Sequence, residues 1–128
     1  MTDQDTLNIA VVRAMYAGDE VERASIARDI IWHVPGHNPV SGSYHGYDEY
    51  TQLMPVRMAP LTRWDFTLHD VMVNGAIVMT TFRLVGERKG KTIDMCGGHL
   101  MRVTADGKVA EGWGFADDQD ALDDFFAG

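Results

Sequence analysis

The chain has 128 residues, a net charge of −8, a single cysteine and 45% apolar residues. That length is read as one domain, 1–128, burying roughly two thirds of its unfolded surface. The acidic balance without a Lys/Arg cluster excludes a nucleic-acid partner. Cys96 alone excludes an internal disulfide and is expected as a buried structural thiol in a reducing, cytoplasmic setting. Arg13 interrupts the apolar N-terminal segment and no run approaches the ~18 residues of a membrane span, so neither signal peptide nor membrane association is expected.

Taken in chain order, Leu7, Ile9, Ala10, Val12, Ala14, Met15 and Tyr16 predict a largely buried helix from Thr6 to Ala17, ended by Gly18. Asp19 is placed to cap a second helix, Glu20 to Arg28, with Val21, Ala24, Ile26 and Ala27 inward and Asp29 as its stop. Ile30 to Val34 is β-branched and aromatic, hence a strand, ended by Pro35-Gly36. His37 to His45 reads as a loop. Gly46 opens a third helix to about Arg57, with Tyr47, Tyr50, Leu53 and Met54 on one stripe and Pro55 shortening or kinking it.

After Pro60 the period becomes two. Trp64, Phe66, Leu68 and Met72 alternate against Asp65, Thr67, His69 and Val71, and Asn74-Gly75 signals a hairpin to a partner strand, Ile77 to Val85. A polar tip, Gly86 to Lys91, leads into a long strand from Thr92 to Thr104, which Gly97-Gly98 is expected to break with a bulge. Asp117 to Phe126 closes the chain as a short acidic helix or an ordered tail over a pocket mouth. The elements define an α+β domain with a strongly bent, cone-shaped antiparallel sheet wrapped around the N-terminal helices, whose concave side encloses an apolar cavity for a small molecule.

His99 to Phe115 forms the last hairpin. A two-residue turn at Asp106-Gly107 pairs Ala105 with Lys108, Val103 with Ala110, Met101 with Gly112 and His99 with Gly114. Large residues then face small ones, leaving open volume above Gly112 and Gly114 into which His99 points. The other face pairs Arg102 with Glu111, expected as a structural salt bridge, and Leu100 with Trp113. A three-residue turn ending at Gly107 would break this register.

Three segments carry a family resemblance: Ala17-Gly18-Asp19, Trp32-His33-Val34-Pro35-Gly36 to Ser43-Tyr44-His45-Gly46, and His99 to Asp117. On these the chain resembles the nuclear transport factor 2-like superfamily, specifically SnoaL-like domains. Compared with ketosteroid isomerases, Gly36-His37-Asn38-Pro39-Val40-Ser41-Gly42 matches the Gly-x-x-Pro-x-x-Gly loop. The resemblance then puts His33 where the general-base aspartate stands and His99 where the oxyanion-donating aspartate stands. The partner tyrosine of the first helix is unmatched, Tyr16 being out of register. Compared with SnoaL-type polyketide cyclases, Glu111-Gly112-Trp113-Gly114-Phe115-Ala116-Asp117 reproduces the spacing that ends in the acid/base aspartate, here Asp117.

The resemblance implies a cofactor-independent enzyme moving a proton beside a carbonyl of an apolar cyclic compound, by isomerisation or aldol-type cyclisation. His33 is the expected base, His99 an oxyanion donor or relay and Asp117 an acid/base or orienting group. Met15, Tyr44, Tyr50, Met54, Met101, Gly112 and Gly114 are the expected ligand-binding residues. The alternative is a non-catalytic binding or dimerisation module. A third reading assembles the Asp-Arg-Asp set of limonene-type epoxide hydrolases from Asp65, Arg83 and Asp94. No metal site is expected, since Pro35-Gly36 prevents His33 and His37 from pairing on a helix. A homodimer is expected, covering Trp64, Phe66, Leu100 and Trp113.

Overall fold

A computed structural model of the chain describes residues 1–17 and 24–128. Helix α1 spans Asp3–Ala14. It begins earlier than Thr6 because Thr2 and Asp5 form a capping box: Thr2 Oγ1 accepts from the Asp5 amide at 3.0 Å, and the Asp5 carboxylate accepts from the Thr2 amide. It is also less buried than its apolar content suggests. Leu7 is exposed, whereas Asn8 and Val12 are buried, Asn8 donating to the carbonyl of Gly75 at 2.9 Å.

Strand β1 runs Ile26–Val34 and absorbs the end of the helix expected at Glu20 to Arg28. Ile26 pairs with Val109 of the last strand, and the Val109 amide donates to the Ser25 carbonyl, so the backbone here is satisfied by a neighbouring strand instead of a helical turn. Helix α1 ends at Ala14 with Met15 as its C-cap, three residues short of the expected Ala17, while Gly18 and the Asp19 cap lie outside the described residues. Part of the expected loop is also a strand: β2, Gly42–His45, pairs antiparallel with β1 from Val34↔Gly42 to Ile31↔His45. The expected third helix is divided into a π-helical turn, Glu49–Leu53, and α2, Met54–Met58, with Pro55 in its first turn, where a missing amide costs least.

The long strands follow: β3 Leu61–Asn74, β4 Ile77–Arg88, β5 Lys91–Val103 and β6 Val109–Ala116, then α3, Gln119–Phe126. In β3 the register shifts between Leu68 and Asp70, so Val71 and Val73 turn inward and Met72 outward, reversing the alternation expected there. The β3–β4 turn is centred on Gly75 and Ala76. Pairing of β4 with β5 continues to Arg88↔Lys91, so the expected polar tip shrinks to Lys89 and Gly90, both with positive φ, the form that matches the twist of a two-residue hairpin.

No bulge occurs at Gly97-Gly98, where β4–β5 pairing is unbroken. Close approach explains these glycines instead. A Cβ would lie 2.5 Å from the Phe115 carbonyl oxygen at Gly97 and 2.5 Å from that of Thr80 at Gly98. The bulge falls in the last hairpin: Val103 pairs with Val109, not Ala110, while Arg102↔Glu111, Leu100↔Trp113, Met101↔Gly112 and His99↔Gly114 hold as expected. The loop has one residue more than a two-residue turn, with Thr104 bonded to Lys108, and a shift at Ala110 restores the register.

The six strands form one curved, unclosed sheet in the order β2-β1-β6-β5-β4-β3, antiparallel except for the parallel β1–β6 pair. Its concave face carries the core. Trp64 and Phe66, expected on the outer surface, point inward: Trp64 packs on Phe125 and Phe126 of α3, and Phe66 on Phe82 and Tyr16. Asp118 caps α3, accepting from the Ala121 amide. Buried Arg88 bonds the carbonyls of Met58, Ala59 and Phe125, tying α3 and the end of α2 to the sheet. None of the described helices is long and apolar enough to cross a membrane.

Candidate functional site

Between the concave face, the end of α1, α2 and α3 lies a cavity of about 770 Å³, within the range of small-molecule sites. Its wall is aliphatic, aromatic and methionine-rich: Met15 and Tyr16 follow α1, Met54 and Met58 come from α2, Trp64, Phe66 and Phe82 from the sheet, and Leu122 and Phe126 from α3. One buried polar cluster stands in it, and Tyr50, Asp65 and Cys96 also border it. His99, at the middle of β5, is paired with Thr80 of β4 and Gly114 of β6. The imidazole lines the cavity, and a Cβ at residue 114 would stand 3.8 Å from its Cδ2, in ordinary van der Waals contact.

The Tyr16 hydroxyl lies 2.7 Å from His99 Nδ1 and 2.7 Å from Thr80 Oγ1, and Thr80 Oγ1 accepts the His99 amide at 3.2 Å. Nε2 of His99 has no hydrogen-bond partner among the described residues. Trp32 and Phe82 pack on the ring at 5.1 and 4.8 Å between centroids. Burial in this aromatic setting pushes the His99 pKa down to about 3 and that of Tyr16 up to about 12, the latter opposed by the Thr80 hydrogen bond. Both side chains are therefore neutral throughout the physiological range.

His33 borders the cavity, but its ring lies on the opposite face of the sheet. Trp32 takes the inward position, and alternation turns His33 outward, where it stacks on Trp113 at 5.2 Å and bonds Ser43 Oγ through Nδ1 and Glu111 through Nε2, each at 2.8 Å. The structure thus does not bring His33 and His99 together. Asp117 is exposed at the end of β6, its backbone amide bonded to the Cys96 carbonyl and its carboxylate 3.4 Å from the Cys96 amide. It does not line the cavity, and the helix cap is Asp118.

Of the expected ligand-binding residues, Met15, Tyr50, Met54, Met101 and Gly114 line the cavity; Tyr44 and Gly112 do not. The Tyr44 ring is fully buried, its hydroxyl donating to the Val40 carbonyl at 2.6 Å. The space above Gly112 is filled by Trp32, whose ring atoms come within 2.1 Å of where a Cβ would stand. The Asp-Arg-Asp reading also fails on position. Arg83 and Asp94 form an exposed ion pair at 2.5 Å away from the cavity, so Asp65, which borders it and is bonded to Arg63, has neither partner there. Arg102 and Glu111 approach to 3.8 Å, as their register implies. Cys96, expected buried, is exposed.

Sequence reasoning missed Tyr16 and Thr80. Thr80 carried a signal: along β4 the inward row Val78, Thr80, Phe82, Leu84 is apolar but for one hydroxyl, and that residue faces His99 in the pairing. Tyr16 carried one too, the first-helix tyrosine that the resemblance implies beside the residue at the His99 position; it was expected to be out of register, but the turn of chain after Ala14 brings its hydroxyl to His99.

The fold is that of a SnoaL-like domain. The family model described as SnoaL-like domain matches residues 9–112, and the chain belongs to this family. A protein of unknown function with a cystatin-like fold from Xanthomonas campestris is 27% identical, with 94% of this chain and 98% of that one covered at a TM-score of 0.84. A putative SnoaL-like polyketide cyclase from Jannaschia sp. CCS1 is similar in fold at 19% identity, covering 100% and 97%, TM-score 0.80. TerC, co-crystallised with polyporic acid, is similar at 19% identity, covering 94% and 98%, TM-score 0.82. No curated protein matches the sequence.

Proposed function

We propose that this protein is a small-molecule enzyme that performs cofactor-independent acid/base chemistry, isomerisation or aldol-type cyclisation, on an apolar ring compound bearing a carbonyl. His99 is the group that meets the carbonyl oxygen. The observation that carries this reading is a buried hydrogen-bonded cluster, Tyr16 and His99 backed by Thr80, opening into a mostly aliphatic and aromatic wall whose other polar members include Tyr50, Asp65 and Cys96. An apolar ligand gains from burial along most of such a wall, and His99 Nε2, without a hydrogen-bond partner among the described residues, is the buried position that can meet its oxygen and fix its orientation. A neutral imidazole polarises a carbonyl without the desolvation cost of a buried cation. The fold of a putative polyketide cyclase and of TerC, crystallised with polyporic acid, supports a ligand of this kind.

A second reading, a binding module without turnover, is favoured by one observation: His33 and His99 occupy opposite faces of the sheet, so the acid/base pair expected from the sequence is not assembled. One experiment separates the two. Binding of a ring ketone such as 2-tetralone is followed by fluorescence of Trp32 and Trp64, which line the cavity, and exchange of its α-hydrogens in D₂O is followed by NMR. Exchange faster than in buffer, abolished by His99→Ala, is expected of the enzyme. Saturable binding without faster exchange supports the module, and no binding overturns both.

A further inference from the structure

We infer that Thr80 and Tyr16 are positioning residues that lock His99 into the tautomer protonated on Nε2, so that the site offers its ligand a hydrogen-bond donor and selects an oxygen with free lone pairs. This deepens the proposed function, resting on His99 as the atom the ligand meets, and names the ligand's side of the contact: a ketone, quinone, enolate or phenolate oxygen.

The protons around this closed ring of hydrogen bonds have few places to go. Thr80 is 1% exposed, so its hydroxyl hydrogen requires an acceptor inside the protein. Two partners lie within reach of Thr80 Oγ1: the His99 backbone amide at 3.2 Å, which can only donate, and the Tyr16 hydroxyl at 2.7 Å. The Thr80 hydrogen therefore goes to Tyr16 Oη. Tyr16 has one hydrogen of its own, and its other partner is His99 Nδ1 at 2.7 Å. Tyr16 donates there, Nδ1 is the unprotonated nitrogen, and in a neutral imidazole the remaining proton must sit on Nε2.

The reverse direction, Nδ1–H to Tyr16 and Tyr16 to Thr80, leaves the Thr80 hydrogen with no acceptor in a buried site, and an arrangement in which Tyr16 Oη accepts from both Thr80 and Nδ1–H leaves the phenolic hydrogen and Nε2 both without a partner among the described residues, where the assigned direction leaves only Nε2–H to be met by a ligand. The direction is thus set at Thr80, which borders the cavity only through its neighbours, and transmitted through Tyr16. One consequence separates this arrangement from a tyrosine that binds ligand directly. The single phenolic hydrogen of Tyr16 is committed to His99, and the donor aimed at the ligand is the imidazole.

Two measurements test this. Long-range ¹H–¹⁵N correlation spectra of His99 in the ligand-free protein at pH 7 report which ring nitrogen is protonated. Nδ1 unprotonated and Nε2 protonated is expected in the wild type and in Thr80→Ser, which keeps the hydroxyl. A mixture is expected in Thr80→Val and in Tyr16→Phe. A proton on Nδ1 in the wild type overturns the proposal, as does an unchanged tautomer in folded Thr80→Val. The second measurement compares 2-tetralone with 2-aminotetralin, whose ammonium group can only donate. Weaker binding of the amine by roughly tenfold or more is expected, and equal or tighter amine binding overturns the selectivity. If neither compound binds while the tautomer is as stated, the proposed function fails and the assignment of the hydrogen-bond ring stands.

Discussion

The hydroxyl of Tyr16 lies 2.7 Å from Nδ1 of His99, although 83 residues separate them in the chain. The contact joins the chain just after the first helix to the middle of the fifth strand in the wall of the apolar cavity. Because Trp32, Phe66 and Phe82 surround the imidazole, the pair is a polar point set where charge is costly to carry.

That environment makes stability depend on pH in a definite direction. Burial holds the folded pKa of His99 at about 3, below the ordinary 6.5, so between these values the unfolded chain binds a proton that the folded chain refuses. Stability is unaffected by this group above pH 6.5, falls as pH drops below it, and levels off below about pH 3. The slope is about 1.4 kcal/mol per pH unit, so from pH 7 to pH 5 the wild type loses about 2 kcal/mol through His99. Urea unfolding of the wild type and His99→Gln at both pH values isolates the effect, because every other titrating group is shared. The expected result is that the difference in stability between the two proteins changes by that amount.

The parts of the fold legible in the sequence are those governed by local chemistry. Period-two alternation from Trp64 onward, Gly75 in the first hairpin and the pairing of His99 with Gly114 all follow from strand geometry. What was not legible depended on neighbours distant in sequence. Ile26 to Arg28 reads as helix until β6 supplies a parallel partner. Gly97 and Gly98 read as a bulge until the carbonyls of Phe115 and Thr80 are seen pressing on them. The site divides the same way. His99 follows from register, whereas a single step of parity at Trp32-His33 decides which of two adjacent large rings faces the cavity, and two aromatic residues in succession do not say which.

Gly112 and Trp32 show how tight that choice is. The indole occupies the space a side chain at 112 would need, with a ring carbon 2.1 Å from the Cβ position, and Trp32 is itself held between Tyr50 and His99. Gly112→Ala is expected to cost about 1–3 kcal/mol through overpacking. Combined with Trp32→Leu, the alanine should cost much less, because the space is vacated. A double-mutant cycle by chemical denaturation measures this coupling, and additive costs would show that the indole does not set the requirement for glycine.

Arg88 provides a similar test at the other end of the cavity. Its guanidinium donates to the carbonyls of Met58, Ala59 and Phe125 and lies 5.8 Å from the Phe126 ring, so one buried cation anchors α3 and the end of α2. Arg88→Met keeps the stem but orphans three carbonyls, with an expected loss on the order of 3 kcal/mol. Since Leu122 and Phe126 of α3 line the cavity, amide exchange should accelerate first in α3, ahead of the β4–β5 pairs. Uniform acceleration across the sheet would mean that Arg88 supports the whole fold and not this corner of it.

The sharpest contrast in the site is between its two candidate histidines. His33 is bonded to Ser43 and Glu111 on the outer face, with its side chain 30% and that of Glu111 23% exposed, while His99 opens into the cavity. Removing His33 leaves Glu111 with Arg102 at 3.8 Å, so no carboxylate is stranded without a cation, and a partly exposed ion pair contributes at most about 1 kcal/mol. His33→Ala should therefore leave the affinity for a ring ketone within about twofold of wild type, and His99→Ala should weaken it by roughly tenfold, the value of one buried hydrogen bond to a ligand oxygen. Titration calorimetry on the two variants checks both. A tenfold loss in His33→Ala would mean that the outer-face network reaches the ligand through the strand it sits on, and the cavity-side reading of the site would have to give way.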